Sequence, residues 1–85
     1  MDQISEIILR LKISELEAQA VLRELERDAW NKVIDDPNTN EDDRSRASIR
    51  RDRTIIEWGE IMTELQELRD LQANLPELKP RGELN

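Results

Sequence analysis

The chain has 85 residues, a formal net charge of −7 with 39% of its residues charged, and two aromatics, Trp30 and Trp58. Cysteine and histidine are both absent, which excludes disulfides, thiolate metal sites, the usual zinc ligand and the usual general base near neutral pH. A chain this short forms one small domain whose own core stabilises it weakly, so self-association is the expected aid.

A composition rich in Glu, Arg, Leu and Ile, with only two Gly and three Pro, suits long helices or coiled coils. Ile7-Ile8-Leu9 is as long as any apolar run, far short of the roughly 20 residues of a membrane span. The N-terminal "MDQISE" is acidic, unlike a secretory or mitochondrial targeting segment. A cytoplasmic protein is expected, and a small bacterial or virus-encoded one fits equally.

The first element is a helix over about 2–34. Ile4, Ile8, Leu11, Ala18, Leu22, Leu25, Ala29 and Val33 recur at steps of three, four or seven, the spacing of one helix face. Leu9, Ile13, Leu16 and Ala20 form a second stripe on roughly the opposite side. The longer stripe is expected to be the core. The shorter one, with Ile49 and Ile56 further on, is expected to be an oligomer interface, because an ordered second stripe marks a partner surface.

A turn follows over 35–40. Pro37 restricts Asp36 to extended geometry and ends the helix. Asn38, Thr39 and Asn40 are candidate caps for the next helix, and Asn38 with Glu41 has capping-box spacing. Asp36, Asn38, Asn40 and Asp42 alternate like the start of an EF-hand loop, but Glu41 replaces the turn glycine and Ala47 replaces the bidentate Glu. No metal site is read here.

The third element is a helix over about 41–74, with Ala47, Ile55, Trp58, Ile61, Met62, Leu65 and Leu68 as its stripe. Residues 76–85, with two prolines and a glycine, are expected to be an extended tail. The fold class is all-α: residues 1–75 make a two-helix, coiled-coil-like antiparallel hairpin that assembles into an oligomeric helical bundle. The loop suggests a register in which Trp58 faces Ala18 and Val21, Leu65 faces Leu11, Leu68 faces Ile8 and Trp30 faces Ala47.

The stretch "RSRASIRRDR", 44–53, places five arginines beside the five carboxylates of 35–43. The two blocks nearly neutralise each other, which opposes general nucleic-acid binding. In the expected register Arg51 pairs with Glu26 and Arg53 lies opposite Glu24. Arg46, Arg50 and Arg53 are candidate contacts for an anion or a partner.

Catalysis has no support, since no nucleophile has a neighbouring base. The expected function is non-enzymatic: a self-associating hairpin, dimeric or higher, that contacts another protein as an adaptor, inhibitor or assembly factor and needs no cofactor. Two alternatives use the same residues: an oligomeric binder of a nucleotide or nucleic acid through the arginines of 44–53, or a structural coiled-coil segment of a larger assembly.

Overall fold

The computed structural model describes residues 3–74, which form two helices, α1 (Gln3–Asp35) and α2 (Glu41–Asn74), packed as an antiparallel hairpin. The tail expected over 76–85 lies outside the described residues. Neither helix contains a proline, and the only glycine in either is Gly59.

Local chemistry explains the connection. At Asp36 the backbone leaves the helix, its N–H still reaching the Val33 carbonyl at 3.4 Å. Asp36-Pro37-Asn38-Thr39 then turns, with Thr39 N–H donating to the Asp36 carbonyl at 3.1 Å and Asn38 N–H donating to Asp36 Oδ1 at 2.9 Å. Proline at the second position of such a turn supplies the required φ. Asn40 caps α2: its Oδ1 accepts from Asp43 N–H at 2.8 Å, and its Nδ2 donates to Asp43 Oδ2 at 3.2 Å. The capping-box pairing expected of Asn38 with Glu41 is replaced by this Asn40–Asp43 pair, because Asn38 is held in the turn by Asp36. Glu41, Asp42 and Asp43 in the first turn complement the helix dipole.

The inward positions follow a three–four step along both helices. On α1 they are 9, 13, 16, 20, 23, 27, 30 and 34; on α2 they are 44, 47, 51, 54, 58, 61, 65 and 68, all buried or half-buried. Leu9, Ile13, Leu16 and Leu65 form the core, with Ile61, Met62 and Leu68 packed against it.

This corrects the assignment of faces. Leu9, Ile13, Leu16 and Ala20, expected at an oligomer interface, are buried within the hairpin. The stripe expected to be core faces outward instead, with Ile4 at 69%, Leu11 at 64% and Leu25 at 61% exposure. The short turn sets the phase. It faces Trp30 and Ile34 of α1 toward the start of α2, and the three–four step carried back from them runs through 27, 23, 20, 16, 13 and 9. Apolar count alone favours the other stripe, but the turn decides the rotation of the helix.

The register changes with the face. Leu65 packs in the cluster of Leu9, Ile13 and Leu16 rather than on exposed Leu11. Trp58 shares a small cavity with Arg23 and Arg27, beyond the expected Ala18 and Val21. Trp30 and Ala47 do line one cleft, at the loop end where the turn leaves little freedom.

Candidate functional site

The arginine-bearing end of α2 divides into used and unused cations. Arg44 reaches back over the turn, its Nη2 donating to the carbonyls of Asp36 at 3.2 Å and Thr39 at 3.1 Å. It therefore ties the turn to the helix and satisfies carbonyls that α2 cannot. Arg51 lies on the inward side and is half-buried. It donates to Asn31 Oδ1 at 3.3 Å, to Ser48 Oγ at 3.5 Å and to its neighbour Asp52 at 3.2 Å. The expected Arg51–Glu26 pair is not made. The register brings Asn31 to Arg51, and Glu26 pairs with Arg23 of its own helix instead.

Arg46, Arg50 and Arg53 are exposed. Among the described residues none of them has a carboxylate within ion-pair distance, and Glu24 has no basic partner either. Arg50 does lie over the Trp30 ring, its Cζ 5.5 Å from the centroid, a cation–π contact across the two helices. Beside it opens a cleft of about 450 Å³ between Trp30, Asp36, Asp43, Arg46 and Arg50. Its lining is of mixed sign, so it offers an anion two guanidinium groups and two opposing carboxylates. No group of three carboxylates converges to hold a cation among the described residues.

The middle of the hairpin is polar where a two-helix seam is ordinarily apolar. Arg23 and Arg27 occupy inward steps of α1, their stems covering the seam while their heads reach its edge. Arg23 pairs with Glu26, and its Nε lies 3.1 Å from Glu57 Oε2 but off the N–H direction, so that second contact is electrostatic. A cavity of about 130 Å³ remains between Arg23, Arg27, Thr54 and Trp58. Trp58 Nε1 is buried there with no acceptor among the described residues.

Matched against protein-family models, curated proteins and solved structures, the chain gives no match in any of the three. The surface itself must therefore carry the functional reading.

Two outward surfaces stand out. The first is the α1 stripe of Ile4, Ile8, Leu11, Leu22 and Leu25, all at least half exposed. The second is the side of α2 turned away from α1, where Ile49 and Ile56 are more than 60% exposed. Around them stand Arg46, Arg50 and Arg53 toward the turn and Glu60, Glu64 and Glu67 toward the open end. Taken alone, that acidic trio is an ordinary solvated helix face. The signal that distinguishes it is relational: the trio repeats the spacing of the arginine trio, four residues and then three, with the opposite charge.

Proposed function

We propose that the protein is a non-enzymatic, self-associating helical hairpin that works by protein–protein contact, as an adaptor, inhibitor or assembly factor. The observation that carries this reading is the outward stripe of α1. A helix in a two-helix hairpin needs one apolar face, and α1 has two. One is buried against α2. The other runs from Ile4 to Leu25 with five large aliphatic side chains exposed, in two groups separated by Glu15 and Ala18; ordered exposed apolar side chains of this kind mark interaction sites. Further helices, beginning with those of a second copy, offer the complementary shape and chemistry for such a stripe.

The test is sedimentation equilibrium of the full chain beside a Leu11→Gln/Leu22→Gln variant. Assembly above the 10.0 kDa chain mass, reduced in the variant without loss of helicity, supports the reading. A folded monomer at every concentration overturns it.

The mixed cleft beside Trp30 motivates a second reading, an anion binder that uses Arg46 and Arg50. Asp36 and Asp43 on the same cleft oppose it. Replacing Arg46, Arg50 and Arg53 by Gln separates the readings: loss of nucleotide binding at unchanged stability favours the anion binder.

A further inference from the structure

We propose that the outward face of α2 is a self-recognition surface, joining two copies of this chain in antiparallel, two-fold order about Ile56. This rests on the self-association proposed above and assigns it a second face, an orientation and a partner.

The argument is in the order of the charges. Arg46, Arg53, Glu60 and Glu67 follow one another at seven-residue steps and so lie on one line along the exposed side of α2. The first two are basic and the last two acidic. Arg50 and Glu64 repeat the same inversion on a neighbouring line. Among the described residues none of these six has an ion-pair partner in its own chain. Seven helical residues span about 10 Å, so Arg53 and Glu60 of one helix stand too far apart along the axis to pair well with each other.

The midpoint between Arg46 and Glu67 falls beside Ile56. A second α2 running the opposite way, with its two-fold axis at Ile56, places Arg46 opposite Glu67 of the second copy and Arg53 opposite Glu60. Arg50 then comes opposite Glu64. Symmetry makes each of these pairs twice. Ile49, Ile56 and Thr63 run along the adjacent line, pointing away from α1. In this order Ile56 meets its own symmetry mate and Ile49 meets Thr63, which gives the contact an apolar centre with charged flanks. On the other flank Asp52 comes opposite Gly59 and Ser45 opposite Gln66. Like charges come opposite each other at the two ends of the central line, where Asp42 faces Asp70, and at Glu57, which meets its own symmetry mate and is compensated within its chain by Arg23. Gly59 has open space where a Cβ would stand, which leaves room for the approaching helix. A parallel arrangement sets Arg46 on Arg46 and Glu67 on Glu67, and such like-charge contacts are rejected.

The orientation and the face are tested together. Arg46→Glu/Arg53→Glu makes the line wholly acidic, and Glu60→Arg/Glu67→Arg makes it wholly basic. All four side chains are exposed and have no ion-pair partner among the described residues, so both variants keep helicity and a cooperative melt. In sedimentation equilibrium each variant alone is expected to associate at least about tenfold more weakly than the unaltered chain, and their equimolar mixture to regain association. The chain has no cysteine, so single cysteines report geometry. Ile56→Cys cross-links on oxidation, whereas Ile49→Cys does not, because two-fold antiparallel packing holds its copies on the order of 20 Å apart. Undiminished association of both charge variants, or equal cross-linking at Ile49→Cys and Ile56→Cys, overturns the proposal. If Leu11→Gln/Leu22→Gln still weakens assembly in that case, the proposed function stands and only the α2 face fails. A chain that is monomeric throughout overturns both.

Discussion

The two halves of the hairpin hold together by different physics. In the open-end half, Leu9, Ile13 and Leu16 meet Ile61, Leu65 and Leu68, and the contact is apolar. In the turn half, the same three–four positions are Arg23, Arg27, Arg44, Arg51 and Thr54, with Ile34, Ala47 and the two tryptophans between them. There the backbone turn, the cap and hydrogen bonds from arginine hold the helices in register, and a cavity lies beside Trp58. A small domain has little core to spare. Its stability is thus concentrated at one end, while the other end fixes geometry and leaves Arg46, Arg50 and Arg53 without a carboxylate partner among the described residues.

The sharpest way to break this contrast is Leu65→Ala. Leu65 is 1% exposed, and truncating such a side chain costs about 2–5 kcal/mol. That is a large share of the stability of a domain this size, so a chain folded at room temperature is expected to lose its cooperative melt, followed by circular dichroism. An equal loss from a truncation in the turn half, such as Ala47→Gly, would show that the core is not concentrated as described.

The turn half depends on its cap. Asn40→Ala removes the acceptor for Asp43 N–H and is expected to cost about 1 kcal/mol. In a chemical melt it lowers the midpoint, whereas Asn38→Ala, whose side chain has no such role at the cap, changes it much less.

These differences also explain what was legible in the sequence. Two long helices, the turn at Pro37 and the cap region follow from local chemistry, and the chain obeys it. Both stripes of α1 are visible as well. Which one faces α2 is not, because that depends on the rotation set by a short turn, and a count of leucines carries no information about rotation. The same error propagates to the arginines. Once Leu9 rather than Ile8 faces inward, Arg51 meets Asn31 instead of Glu26, and Arg23 and Arg27 enter the seam. The three arginines singled out as outside contacts, Arg46, Arg50 and Arg53, lie on surface that neither stripe assignment buries. Glu60, Glu64 and Glu67 read as an ordinary acidic helix face in the sequence, because the match proposed for them is between two halves of one face and needs a second, reversed copy of the helix.

A smaller effect tests whether the polar centre is tuned for stability at all. Thr54 is buried, and its hydroxyl donates to the Arg50 carbonyl at 2.9 Å. That carbonyl is in any case the helix's own acceptor, so Thr54→Val strands no buried group. The replacement keeps the shape and turns an inward polar atom apolar beside the cavity at Trp58. Thermal melts are expected to show a gain of about 0.5 kcal/mol, and a clear loss would mean that the hydroxyl supports the seam.

The smallest expected effect bears on the open end. Arg69 Nη2 reaches Glu17 Oε2 at 2.8 Å across the helices, but both side chains are at least 40% exposed. An exposed pair gains little Coulomb energy in water and loses rotamer freedom, so Arg69→Gln is expected to change stability by less than about 0.5 kcal/mol. The apolar contact a turn inward should hold the helices without it. Salt sharpens the comparison, since the pair is screened within a Debye length of about 8 Å at physiological ionic strength, and the hydrophobic seam is not. If Arg69→Gln lowers the melting temperature as much as Asn40→Ala does, and 0.5 M NaCl lowers that of the unaltered chain to match, then ion pairing and not leucine packing closes the open end.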